Sequence, residues 1–453
     1  MQNSVEVVPP ADARQNRLLR VLGVVFGMAV TIGITIGMGI LRTPGEVAAQ
    51  LPNVWLFTGA WLVGGFYALA GAVSVAELST MLPRSGGFYV FARHALGEYA
   101  GFVVGWSDWL STCGTLAVVA IVIGEYTSVL VPSLEGRTVE VALAVVFAFA
   151  ALQWGGVRRG SRTQELTSAV KTLAFAALIA ACFIFGGEGS AQMNGAAGAA
   201  LRVPSGLAFW TALVVALQGI IYTYDGWYSV VYFGEEVRDS GRSVPRAMIG
   251  SVLLVIGIYL LLNLALLYVV PLHELAGDKL AIGRAAQEIF GERGRIIISV
   301  LATVSMLAAI NGNTLAAPRI IFAMSRDKLF WREAAGVNKG GTPTVALALS
   351  TFVAGLMIVF SGTFGKLLAA LAFFFVVNYS VSFLSVFVLR RREPNRERPY
   401  RAWGYPWTTG LALVGSIAFL GGAVASDTRN SVYALLLLAA SYPAFAVLRR
   451  LSR

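Results

Sequence analysis

Two short stretches of this 453-residue chain place glycine and ionisable residues inside apolar runs. The first, Thr31–Pro44, reads TIGITIGMGILRTP and carries Gly33, Gly37 and Gly39; the second, Tyr222–Trp227, reads YTYDGW. Each glycine costs a helix about 0.8–1 kcal/mol relative to alanine. An unwound backbone at Ile36–Ile40 or Tyr222–Trp227 leaves N–H and C=O groups without helical partners, and lipid cannot satisfy them. Freed N–H groups at a half-helix attract an anion, and freed carbonyls attract a cation. Two facing breaks therefore suit a zwitterion, with a carboxylate at one and an ammonium at the other.

Other residues could add chemistry. Lys171 lies about eight residues into an apolar run, roughly 12 Å along a helix, and TQELTSAVKTLAF gives it no acidic partner one turn away. A lysine at the bilayer centre costs about 2.5–3.5 kcal/mol, which by default marks function; the competing reading is a lysine that snorkels to the surface. Asp225 has two readings, contact with a substrate cation or an N-cap on a second half-helix starting near Gly226. Gly23-x-x-x-Gly27 and Gly33-x-x-x-Gly37 also match the spacing of closely packed membrane helices. Cys113 and Cys182 lie in apolar runs without metal-ligand spacing, and His94 and His273 fall in separate loops. No cofactor, metal site or catalytic constellation is expected.

The elements that must position these residues are membrane helices. The chain is 57% hydrophobic and 13% charged, against about 25% charged in soluble domains. Apolar windows predict twelve spans, near 21–49, 55–80, 97–130, 138–156, 163–186, 206–233, 245–270, 294–322, 343–361, 365–389, 407–425 and 431–449. The N-terminal tail, the even-numbered loops and the C-terminus, with adjoining span ends, hold 25 of the 35 Lys and Arg. Both termini are thus expected in the cytoplasm, in a multi-pass protein of the cell membrane. Basic loops beside anionic lipid account for the net charge of +11 without a nucleic-acid partner. The breaks fall in the first spans of two consecutive five-span sets, which an odd count forces into opposite orientations; such pairing points to a transporter's substrate site.

Five segments carry a resemblance: IGMGILRTPG (36–45), AELSTMLPRSGGFYVF (76–91), YDGWYSVVYFGEEVRDSGRSVPRAM (224–248), APRIIFAMSRDKLF (317–330) and RPYRAWGYP (398–406). In order and spacing they resemble the amino acid–polyamine–organocation superfamily, in its L-type-like permease branch. The resemblance implies an all-α integral membrane protein of twelve transmembrane helices. It has a leucine-transporter-like 5+5 inverted repeat with discontinuous helices 1 and 6, plus two peripheral helices. The expected organisation is a cytoplasmic tail (1–20), a core (21–390, repeats about 21–187 and 206–390), and a basic loop with the last two helices and a short C-terminus (391–453). It further implies that the backbone of Gly37, Met38 and Gly39, flanked by Ile40, holds a substrate carboxylate. Met38 stands where relatives have a small residue. The ammonium would meet Thr35, Ile36, Tyr222, Thr223 and Asp225, next to Tyr224, with Tyr222 as an aromatic gate. Lys171 would sit between broken helix 1 and helix 8, where sodium-coupled relatives hold sodium, and serve coupling.

The implied activity is secondary active amino acid transport without sodium, as a proton-coupled importer or an exchanger; the alternative is a polyamine or cationic amino acid antiporter. The expected partners are an amino acid, a proton and the lipid bilayer. Ser111, Thr112, Cys113, Thr115, Ser305 and Asn311 are weaker candidates for the pocket. Asp108 lacks an evident partner, Glu125 reads as a rim residue, and Glu77, Glu235, Glu236 and Arg319 as structural charges.

Overall fold

A computed structural model describes residues 17–187, 203–361, 364–426 and 428–451. Most of the expected tail 1–20 lies outside these residues, as does 188–202 between the fifth and sixth spans. The described chain forms sixteen α-helices. The first broken span is α1 (Val24–Thr35) and α2 (Gly39–Gln50), bent by 48°. Then follow α3 (Val54–Met81), α4 (Phe88–Leu96), α5 (Glu98–Leu130), α6 (Thr138–Trp154), α7 (Val157–Phe185) and α8 (Leu207–Thr223). The remainder are α9 (Ser240–Val269), α10 (Leu272–Leu275), α11 (Ala281–Phe290), α12 (Arg293–Arg326), α13 (Thr344–Ser361), α14 (Phe364–Arg392), α15 (Trp407–Ser426) and α16 (Thr428–Leu451).

Helices coincide with all twelve apolar windows, but length and composition qualify fewer as spans. Among the described residues seven helices are long and apolar enough to cross a membrane, or eight when the bent pair α1–α2 counts as one. The shorter apolar helices include α6 and α8, with 17 residues each. For α8 the reason is local: the helix stops at the second break.

The long helices form the core. α5 and α12, each roughly 50 Å long, pack along one another, while α1 threads between α7, α9 and α12. α3 packs on α9, and α8 on α2 and α3. Only 22% of the apolar window of α15 is buried, against 67% for α5 and α12, which places α15 at the rim.

One face carries the basic loops, and charge ties lock it. Glu77 at the end of α3 accepts from Arg390 at 2.7 and 2.6 Å, from Arg398 at 3.1 Å, and from the Ala402 amide at 2.7 Å. Arginines of the basic loop after α14 thus hold the fold. Glu236 and Arg319 form a two-pronged pair at 2.7 and 2.8 Å, both at most 1% exposed. Arg319 therefore pairs in the interior and does not snorkel. Glu235 pairs with Arg326, and Asp327 with Arg84 and Arg93. On the same face Leu22 and Val237 form a β-bridge, as do Ser85 and Phe233.

Candidate functional site

At the first break α1 ends at Thr35 and α2 starts at Gly39. The last carbonyls of a helix lack intrahelical partners and carry the negative end of its dipole. Lys171, from the middle of α7, supplies what they lack. Its ammonium donates to Gly33 O at 2.7 Å and Ile36 O at 2.6 Å, and the residue is fully buried. Ser305 on α12 donates to the same Ile36 oxygen at 2.9 Å. Lys171 therefore bridges α7 and the end of α1, beside α12, and does not reach the surface.

The donors of this break are treated differently. Among the described residues nothing accepts from the amides of Gly37 and Met38. Gly37, Met38 and Gly39 are a half-exposed run between the buried Ile36 and Ile40. A methyl group built on Gly37 would meet nothing closer than 3.8 Å, whereas one on Gly33 would collide with Gln164 and Ser168. Close packing explains Gly33; an open space explains Gly37. The side chains of Ile36 and Ile40 are in the core, so only their backbone can serve the site.

The second break begins later than the sequence suggests. α8 runs through Tyr222 and Thr223, and the turns start at Tyr224. No α-helix resumes at Gly226. Turns lead to a single 3-10 turn, Ser229–Tyr232, which corrects the expectation that Asp225 caps a second half-helix. The physical reason is that the segment closes its own bonds: Asp225 N donates to Tyr222 O, Ser229 N and Oγ to Gly226 O, and Val231 N to Tyr228 O. Gly226 has φ of +103°, a region that side chains avoid. A Cβ there would lie 2.9 Å from Thr35 N and 2.8 Å from Ile34, so the two breaks touch at this point.

Further contacts join them. The Tyr259 hydroxyl, from α9, lies 2.9 Å from Thr35 O and 3.1 Å from Thr223 O, the ends of α1 and α8. Thr43 of α2 and Thr223 of α8 meet hydroxyl to hydroxyl at 2.7 Å. Neither Tyr259 nor Thr43 figured in the sequence reading; the signal available was a lone hydroxyl residue in mid-span.

The remaining candidates divide. Thr35 Oγ1 and Asp225 Oδ1 are buried atoms without a partner among the described residues, and Tyr222 and Asp225 are half-buried. Tyr224 points away, its ring 4.9 Å from that of Tyr259 and 6.2 Å from that of Trp61. Ser111 and Thr112 donate to Asp108 O in their own helix. Asn311 is engaged with Gln153, Gln164 and Gly160 O, and Cys113 is buried. Thr115 Oγ1 is buried without a partner among the described residues. Glu125 is exposed. Asp108 has a partner after all, the Tyr232 hydroxyl at 2.8 Å.

The open amides of the first break therefore lie on a segment packed against the second break, whose unpartnered group is the Asp225 carboxyl. Residues 18–441 match the amino acid permease family model. The chain belongs to the amino acid permease family. The permease is 30% identical over 440 residues to the serine/threonine exchanger SteT of Bacillus subtilis (strain 168), covering 95% of this chain and 97% of that protein. It is 26% identical over 441 residues to the human b(0,+)-type amino acid transporter 1, covering 94% and 87%. It is 25% identical over 406 residues to the human Asc-type amino acid transporter 1, covering 86% and 75%. These matches place it in the L-type-like branch of the amino acid–polyamine–organocation superfamily, as a multi-pass membrane transporter of amino acids and not an enzyme.

Proposed function

We propose that the permease moves small neutral amino acids across the cell membrane by alternating access, without sodium. It does so through twelve spans whose first ten form two inverted repeats, with both termini in the cytoplasm. The observation that carries this reading is Lys171: its ammonium occupies the carbonyl end of α1, the place where the helix dipole favours a bound cation. The substrate carboxylate binds the free amides of Gly37 and Met38, at the positive end of α2. Its ammonium lies near Thr35, Asp225 and the end of α8, under Tyr222. Similarity to a serine/threonine exchanger favours exchange and a short polar side chain; proton-coupled import is the other mode the site permits. The partnerless oxygen of Asp225 favours one further reading, a cationic amino acid or polyamine antiporter.

Uptake of labelled amino acids into proteoliposomes decides among these. Uptake in sodium-free buffer only when the lumen holds unlabelled amino acid identifies exchange. Uptake into empty vesicles that rises with an inward proton gradient identifies import. A strict requirement for sodium, or uptake of polyamines alone, overturns the reading.

A further inference from the structure

One flank of α1 is held by a chain of buried amides that the substrate reading leaves unused. Gln153 on α6, Gln164 on α7 and Asn311 on α12 are each at most 1% exposed. Gln153 Nε2 donates to Asn311 Oδ1, Asn311 Nδ2 to Gln164 Oε1 at 2.8 Å, and Gln164 Nε2 to Ala29 O of α1 at 3.2 Å. Ser168, one turn along α7, donates to the same Ala29 oxygen at 2.7 Å. A carbonyl only accepts, so Gln164 must turn its nitrogen to α1 and its oxygen to Asn311, and Asn311 must do likewise toward Gln153. The chain thus has one direction, set by α1. It ends on Gln153 Oε1, a buried atom without a partner among the described residues.

The two flanks of α1 differ in what parting would cost. α1 lies between the first break and the basic face, where Leu22 precedes it, so opening the break toward that face requires α1 to move. Toward α9 and the elbow it is packed by carbon: Gly27 has no room for a methyl group beside Ala247 and Val230, and the rings of Phe26 and Phe233 lie 5.0 Å apart. Toward α7 the tight contacts are polar, with Gly33 against Gln164 and Ser168. Separating the apolar flank exposes carbon or leaves a void. Separating the polar flank leaves little unsatisfied, because Ala29 O keeps its helical donor and water can take up the side-chain groups. Lys171 grips the tip of α1 at Gly33 O and Ile36 O, so the seam nearer the basic face can part about that tip.

We infer that Gln164 and Ser168 latch α1 to α7, that Asn311 and Gln153 hold Gln164 in the latching orientation, and that release of this latch frees α1 for opening toward the basic face. The inference rests on the alternating access proposed above. Among the described residues none of the four bonds to Gly37, Met38 or Asp225; they are positioning residues, which set where α1 rests and leave substrate binding to the breaks. The unpaired Gln153 oxygen is a penalty of the latched orientation, and it keeps the latch from being permanent. Once α1 has left, Gln164 is free to turn, and the two amides behind it turn with it.

The test is the distance between spin labels at Val25→Cys on α1 and Leu166→Cys on α7, read by pulsed electron paramagnetic resonance in the reconstituted full-length permease. Both positions are exposed, at 68% and 66%, and the native Cys113 and Cys182 are buried. One short distance should dominate in the parent. Gln164→Leu should raise a longer-distance population about threefold or more, the effect of one lost hydrogen bond. Ser168→Ala and Asn311→Leu should raise it less. Asn311→Leu should add nothing on top of Gln164→Leu, because it acts through that residue. Gly33→Ala, a wedge in the same seam, should also raise it. Binding of an equimolar mixture of neutral L-amino acids by Gln164→Leu should stay within about twofold of the parent, since the latched form still predominates. Unchanged distances in Gln164→Leu and Gly33→Ala that transport the mixture overturn the latch and leave the transport reading intact. Ser168→Ala, which removes a single hydroxyl, decides in the same way if the larger changes prevent folding. A double variant whose shift equals the sum of the single ones overturns the role of Asn311. A parent that neither binds nor transports the mixture overturns both readings.

Discussion

At the first break the chain bends by 48° and resumes as a helix; at the second α8 stops and the chain continues as turns. The first leaves its carbonyls to other elements, taking an ammonium from α7 and hydroxyls from α9 and α12. It also leaves two amides open. The second closes its own backbone bonds and offers a side chain, Asp225, in place of free backbone. Two interruptions of similar sequence character thus serve different ends. The first is open backbone braced from outside, the binding surface of the proposed function; the second is a compact elbow that holds an acid in place. The comparison also explains the glycines, since Gly37 borders open space and Gly226 is required by its dihedral angle and by contact with Thr35.

Removing the external brace should have the largest effect. Lys171→Met strips Gly33 O of its donor and leaves Ile36 O to Ser305 alone. Each unsatisfied buried group costs about 1–3 kcal/mol, so uptake should fall by more than about tenfold while the protein still inserts. Retention of parental uptake would mean that the first break braces itself. At the second break, Gly226→Ala combines strained backbone, about 1–3 kcal/mol, with a collision at Thr35. Thermal unfolding should shift down by several degrees and transport should drop with it.

Gly37→Ala sharpens the contrast between the breaks. It has room, so the melting temperature should stay within about 2 °C, while amino acid affinity falls roughly tenfold, equivalent to about 1.4 kcal/mol. Unchanged affinity by equilibrium binding would sink the open-amide surface. Tyr259→Phe removes the hydroxyl shared by both breaks and should cost about 1 kcal/mol, seen as a several-fold loss of uptake. Thr43→Val removes one hydroxyl contact to Thr223. Its loss should be about twofold, the smallest of the set, read in the same assay.

Much of this was legible in the chain. Glycine and an ionisable residue in apolar runs marked both breaks, because a membrane punishes unpaired backbone and buried charge strongly enough to make them rare. Lys171 stood out for the same reason. What stayed hidden depends on tertiary contact. Nothing in the run around Tyr259 distinguishes a hydroxyl that joins two helix ends from one facing a headgroup. The self-closure of 224–232 hid behind a motif that invites a helix cap. Asp108 read as partnerless because Tyr232 lies 124 residues away. The length of α8 was overestimated because turns rich in Tyr, Trp and Val are as apolar as a helix.

One small feature near the basic face bears on the proposed transport cycle. Leu22 exchanges backbone bonds with Glu236 and Arg238, at 2.9 and 2.8 Å, and Arg20 adds a bond to Val237 O. The chain just before α1 and the chain just after the second elbow are thereby stitched into one strip. A motion that swings α1 must carry this strip, and the strip carries Glu236 and its hold on Arg319. Under the alternating access proposed above, α1 and the second elbow share a single lever at this end, and the change of access at both breaks becomes one stroke. Spin labels on either side of the seam should keep a constant separation while labels across the basic face part.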